Sequence, residues 1–197
     1  MNRYLNASIV ILSLCLPFQA LSADISSSVD AKTLSKSRQT PFGLYLTPKD
    51  AHAALNDAPS IIMIDVRDPV EISFVGHPSG MDANVPLATA TGNFNPKRGA
   101  YNMEGNVNFL NDMEAFMARN GYKKTDRIFV TCRSGSRSAA AARLLHEAGY
   151  EDVWNLVEGF EGSIDKKTGG RSKDGWRNAG LPWSYKIPAT AAWQPSQ

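Results

Sequence analysis

Cys132-Arg133-Ser134-Gly135-Ser136-Arg137-Ser138 joins one thiol to two guanidinium groups, three hydroxyls and a glycine. An apolar β-type run, Arg127-Ile128-Phe129-Val130-Thr131, leads into it, and an alanine-rich helical pattern from Ser138 to Gly149 follows. That order places the thiol at the carboxyl end of a strand and the amino end of a helix. Unpaired backbone N–H groups and the positive end of the helix dipole converge at such a position. Arg133 and Arg137 add positive charge. Together these terms favour thiolate over thiol, which makes Cys132 a candidate nucleophile. The alternative is an inert Cys acting as a small hydrophobe, and the Arg-Ser-Gly-Ser-Arg loop argues against it.

The chain has one other cysteine, Cys15, within what reads as a cleavable export signal over residues 1–23. Arg3 supplies the positive n-region, Ala7 to Leu16 the apolar stretch, and Ala20-Leu21-Ser22-Ala23 the small-residue cleavage site. The apolar run is too short to span a bilayer comfortably, and Pro17 interrupts it. A periplasmic or otherwise exported protein is expected, with no stable membrane association after cleavage. It would carry a single unpaired thiol in a compartment where structural cysteines are usually paired.

The remainder is near the usual size of one domain and long enough to bury a core without disulfides. Without Arg3 the balance is 20 basic against 19 acidic residues. That offers no electrostatic footprint for nucleic acid or an anionic membrane. The cluster Lys166-Lys167…Arg171-Ser172-Lys173 alternates with Gly and Asp and reads as a solvated loop.

Residues 24–41 are rich in Ser, Thr and Lys and read as a flexible leader. A domain is expected over 42–187, with a loose C-terminal tail over 188–197. Thr47-Pro48 provides a helix N-cap and first-turn proline. Ile61-Ile62-Met63-Ile64-Asp65-Val66 is a continuous apolar run, the mark of a strand buried on both faces. Further strands are expected at Ala83–Leu87, in the run into Cys132, and at Asp152–Val157. Val107, Leu110, Met113, Phe116 and Met117 recur at helical spacing, with Gly121 as the stop. Residues 89–106 show no clear period. Alternating strands and helices with short connections imply an α/β fold: a mostly parallel central sheet with helices on both faces.

In this order, Ile64-Asp65-Val66-Arg67, Gly76-His77, Asn84-Val85-Pro86-Leu87, the Cys132–Ser138 loop and Val157-Glu158-Gly159-Phe160 resemble a single rhodanese domain. The closing Gly175-Trp176-Arg177-Asn178-Ala179-Gly180-Leu181-Pro182 is similar to the end of many such domains, and the likeness spans about residues 43–185. The resemblance implies a three-layer α/β sandwich and sulfane-sulfur transfer through a persulfide, here on Cys132. The family's usual Gly-His-Ile reads Gly76-His77-Pro78, and the stretches 89–105 and 166–174 exceed a minimal domain.

The residues support that chemistry independently. A Cys132 persulfide would lie in a nest of N–H groups from residues 133–138, where Gly135 and the small side chains of Ser134, Ser136 and Ser138 let the backbone close around sulfur. Arg133 and Arg137 would bind an anionic donor such as thiosulfate. The acceptor would be cyanide or a thiol, low-molecular-weight or on a partner protein, in a ping-pong scheme. No cofactor is called for.

Cysteine phosphatases and arsenate reductases use a similar strand–loop–helix cradle, but with five residues between Cys and Arg. Here four separate Cys132 from Arg137, and Ser138 stands where the phosphate-clasping Arg would be. The smaller ring suits one sulfur atom better than a tetrahedral phosphate. A non-catalytic binding or regulatory module of the same fold is the other alternative. His52, His77 and His146 share no metal-ligand spacing, so no metal site is expected. Asp65 and Arg67 read as a hydrogen-bonded pair supporting the sheet end, with orientation of the cysteine loop as their functional alternative.

Overall fold

The computed structural model describes residues 24–196. The export signal expected over 1–23 lies outside the described residues. Five parallel strands form the central sheet: β1 (Tyr45–Leu46), β2 (Ile62–Asp65), β4 (Ala83–Asn84), β7 (Ile128–Thr131) and β8 (Val153–Leu156), in the order β1-β8-β7-β2-β4. Register is even along the middle, with Ile64 opposite Val130 and Phe129 opposite Trp154.

Alternate residues of each strand serve opposite faces, which is why both must be apolar. Ile62, Ile64, Ile128, Val130 and Val153 face one core, and Met63, Phe129 and Trp154 the other. Helix α3 (Phe109–Arg119) covers the first face through Phe109, Met113, Phe116 and Met117, with Leu110 packed at its margin; Val107, expected on this stripe, precedes the helix and is exposed, because the helix starts two residues later. Helix α4 (Ser136–Glu147) joins it there with Ala141, Ala142 and Leu145. Helix α1 (Pro48–Asp57), capped by the Thr47 hydroxyl, covers the second face with Ala51 and Ala54. The α/β sandwich expected from the sequence is therefore the observed fold.

Three features differ from the expectation. Helix α2 (Pro69–Val75) follows β2 and is held by a capping box: the Asp68 carboxylate accepts from Val70 N–H, and Glu71 accepts from Asp68 N–H. The stretch without period forms an antiparallel hairpin, β5 (Ala88–Asn95) and β6 (Ala100–Gly105), with Phe94 edge-on to Tyr101 across it. Asp68 holds this hairpin too, accepting from Ala90 N–H at 2.5 Å. A second small ribbon pairs β3 (His77–Pro78) with β9 (Trp183–Ser184).

Both terminal segments are seated on the domain through backbone groups, which composition does not reveal. In the leader, Ser28 N–H donates to the Tyr45 carbonyl, and Arg143 donates to the Gln39 carbonyl at 2.7 Å. In the tail, Asn84 N–H donates to the Ala191 carbonyl at 2.7 Å. Asp112 accepts from the Trp193 indole at 3.0 Å and from Ser196 N–H at 2.6 Å. The leader and the tail thus each carry hydrogen bonds to the domain.

Candidate active site

Strand β7 ends at Thr131 and α4 begins at Ser136, so Cys132 to Gly135 make a four-residue loop at the sheet's carboxyl edge. The Cys132 side chain turns inward and the residue is 1% exposed. Gly135 N–H donates to Sγ at 3.1 Å, and the Ser138 hydroxyl lies 3.3 Å from it. Helix α4 starts here, so the N–H groups of its first turn have no carbonyl a turn behind them within the helix. Sulfur thus sits where donors and the positive dipole end converge.

Two glycines make this geometry possible. Gly135 has φ +91°, and a Cβ there would stand 2.0 Å from the Val157 carbonyl oxygen. Gly159 at φ +64° lies against the loop backbone, where a Cβ would meet the Cys132 carbonyl oxygen at 2.4 Å. The turn around Gly159 backs the loop. Phe160 N–H donates to the Cys132 carbonyl at 2.7 Å, and Glu161 and Gly162 N–H groups both reach the Arg133 carbonyl at 3.0 Å.

Asn155, on β8, fixes the other side. Its amide nitrogen donates to the carbonyls of Arg38 (3.0 Å) and Gly135 (3.2 Å). Its oxygen must therefore face Ser138, whose hydroxyl donates to it at 2.6 Å. One hydroxyl proton serves two acceptors, and the shorter contact holds it at rest. Behind the loop, Arg67 and Asp65 are fully buried and joined by Arg67 Nη2 to Asp65 Oδ2 at 2.6 Å and Nε at 3.0 Å. The Arg67 guanidinium lies 4.4 Å above the Phe160 ring, so the pair supports the turn that backs the cysteine loop.

A cleft of about 640 Å³ opens over the loop. Arg133, Ser134, Ser136 and Arg137 line its floor, whereas Gly135 and Ser138 are turned to the sulfur, and Asp65 and Arg67 do not reach it. Neither loop arginine stands alone. Arg137 grips Glu71 with both Nη atoms, at 2.5 and 2.7 Å, and Arg133 Nε pairs with Glu161 at 2.9 Å. Burial alone would raise the Glu71 carboxyl, but the bonds and charge of Arg137, the Asp68 N–H and the Arg67 charge outweigh it and hold the carboxyl below its ordinary value. Burial likewise opposes the Arg137 charge, yet Glu71 raises its pKa above the usual one.

Two more arginines enter from segments assigned no role in the sequence, Arg98 from the hairpin and Arg171 from the loop after β8. Glu71, Glu161 and Asn155 were also missed. The Asp68-Pro69-Val70-Glu71 capping-box pattern was a readable signal for α2 and hence for Glu71. Nothing local marks the other four, because their roles depend on which segments meet.

Residues 47–166 match the family model described as the rhodanese-like domain. A structure of Rv0390 from M. tuberculosis is 33% identical, covering 74% of this chain and 99% of that one with a TM-score of 0.57. The chain belongs to the rhodanese family. Among curated proteins, an uncharacterized protein of Rickettsia conorii is 40% identical over 58 residues, 29% of this chain and 42% of its own length. A chloroplastic thiosulfate sulfurtransferase of Arabidopsis thaliana is 35% identical over 97 residues, 49% of this chain and 68% of that protein.

Proposed function

We propose that the protein is a sulfurtransferase that carries sulfane sulfur on Cys132. The observation that supports this best is the setting of Sγ, with Gly135 N–H at 3.1 Å and Ser138 Oγ at 3.3 Å at the start of α4. In the first half-reaction the Cys132 thiolate attacks the outer sulfur of thiosulfate. The Sγ–S bond forms, the donor's S–S bond breaks, and its electron pair leaves on sulfite. The persulfide rests among the main-chain donors, which also meet negative charge as it builds during transfer. In the second half-reaction cyanide or a thiolate attacks the terminal sulfur, and the electron pair of the Sγ–S bond returns to Sγ.

The residues divide by position. Gly135 and Ser138 hold the sulfur, Ser134 and Ser136 face the entering donor, and the Arg133 and Arg137 guanidinium groups, each engaged by a glutamate, shape the floor. Asp65 and Arg67 position the loop from behind. We place the reaction in an exported protein on the pattern of residues 1–23 alone.

Thiosulfate with cyanide is expected to yield thiocyanate, and intact mass is expected to rise by one sulfur atom after thiosulfate alone. Cys132→Ser keeps the size, lacks the nucleophile, and is expected to abolish both without lowering Tm appreciably. A folded wild-type protein that takes up no sulfur would favour the binding-module reading. Turnover of an aryl phosphate without a persulfide would favour the phosphatase.

A further inference from the structure

The cleft is far larger than thiosulfate needs, and its cations are not equally engaged. Arg133 and Arg137 are each paired with a glutamate that also lines the cleft. Arg98 and Arg171 make no ion pair among the described residues. Arg98 projects from the turn of the β5–β6 hairpin with an exposed side chain. Arg171 donates one bond to the Gly162 carbonyl and lines a cleft holding four arginines against two glutamates, where the charges of Arg133 and Arg137 oppose its own and that of Glu161 offsets part of them. Burial, and next the charge of Arg133, push its pKa below the usual value. An anion bound there would relieve that crowding. Val75, Tyr101 and Met103 supply apolar surface to the same cleft.

We propose that Arg98 and Arg171 form a second anion-binding position in this cleft, which takes the carboxylate of an organic low-molecular-weight thiol that removes sulfur from Cys132. The inference rests on the sulfurtransferase reading above. The anionic end of thiosulfate is one bond from its reacting sulfur and is met at the cysteine loop. A group reaching the hairpin and the 163–175 loop must lie several bonds from sulfur, and so on a carbon skeleton that the apolar surface can accept. Forked guanidinium groups suit a carboxylate. In the step itself the acceptor thiolate attacks the terminal sulfur, an acceptor S–S bond forms, and the Sγ–S bond breaks with its electron pair on Sγ. The terminal sulfur leaves with its proton as the acceptor's persulfide, with no net oxidation.

The test uses full-length protein loaded with thiosulfate and then freed of it. Sulfur release, read by intact mass against time, is followed with 2-mercaptoethanol, 3-mercaptopropionate and mercaptosuccinate, which carry zero, one and two carboxylates. Comparing each variant with wild type for the same acceptor cancels differences in thiol basicity. Arg98→Gln and Arg171→Gln are each expected to lower the mercaptosuccinate-to-mercaptoethanol rate ratio roughly 2- to 5-fold. The double variant is expected to lower it further, and high salt to compress the wild-type ratio. Arg171→Lys keeps the charge but loses the fork and is expected to restore only part of it. Ratios unchanged in both single variants and the double, in protein that loads and releases sulfur, overturn the assignment. Failure of wild type to load at all is a different result and overturns the sulfurtransferase reading beneath it.

Discussion

The Glu71–Arg137 pair offers a perturbation whose outcome separates two roles for Arg137. Read from sequence, Arg137 is a free cation that binds an anionic donor. In the structure both its Nη atoms are occupied by one carboxylate, with the two side chains only 23% and 22% exposed. Direct attraction at about 4 Å and an effective dielectric of about 20 is roughly 4 kcal/mol. Desolvation and lost rotamer freedom return most of it, leaving a net coupling of about 1–2 kcal/mol, above the median for surface pairs. Glu71→Gln keeps the shape and removes the charge. It is expected to cost about 1–2 kcal/mol in urea denaturation and to lower KM for thiosulfate, because Arg137 is then unneutralised. Arg137→Ala is expected to cost more, about 2–3 kcal/mol, since it leaves a largely buried carboxylate uncompensated, and to raise KM. A double-mutant cycle then isolates the pair. Coupling below about 0.3 kcal/mol, within the usual error of additivity, with both KM values moving the same way, would refute the reasoning. The pH dependence has a definite sign. Glu71 is held below its ordinary value of 4.5, so its contribution is present above that pH and is lost as pH falls through the lower folded value.

Gly135→Ala must accommodate φ +91° and a Cβ 2.0 Å from the Val157 carbonyl oxygen; a loss of at least about 1–2 kcal/mol and of sulfur uptake is expected, and wild-type Tm with normal uptake would contradict it. Asp65→Ala leaves Arg67 buried without its partner and is expected to cost about 3–5 kcal/mol in urea unfolding, with a loss below about 1 kcal/mol counting against the structural role. At Asp112, burial would raise the carboxyl, but the Ser196 N–H, Asn106, the Ser196 hydroxyl and the Trp193 indole together hold it below its ordinary 3.8. The tail clasp is thus expected to persist above that pH and to open as pH falls through the lower folded value, which limited proteolysis over 188–196 would detect; Asp112→Ala should open it at neutral pH, and equal protection there would refute the clasp.

Strongly patterned elements were legible because their burial is written in single side chains. The Ile61–Val66 run and the Met113, Phe116 and Met117 stripe each announce a face that must leave water, whereas Val107, assigned to that stripe by spacing, precedes the helix and is exposed, and Phe109 is buried in its place. Helix α2 is only seven residues long and was passed over, although Asp68-Pro69-Val70-Glu71 carries its start signal. The 88–105 hairpin was illegible because most of its residues are exposed and its polar, glycine-bearing strands lack alternation. It is tied to the domain by a bond from Ala90 N–H to Asp68, twenty-two residues away, and by backbone bonds of Leu87 and Asn106 at its base.

At the site, the sequence alone identified the thiol, the small-residue loop and the helix start behind it, because consecutive residues fix a strand–loop–helix junction by local geometry. It also identified both loop arginines. Only the tertiary structure decided what those charges do. Glu71 comes from α2 and Glu161 from the turn after β8, and each neutralises a cation that the linear order leaves free. Asn155 acquires its place in the same way, bonding at once to the Arg38 carbonyl, the Gly135 carbonyl and the Ser138 hydroxyl. Electrostatic partnership and hydrogen-bond satisfaction depend on distance in space, and the parallel crossovers of this sheet bring such partners together from far along the chain.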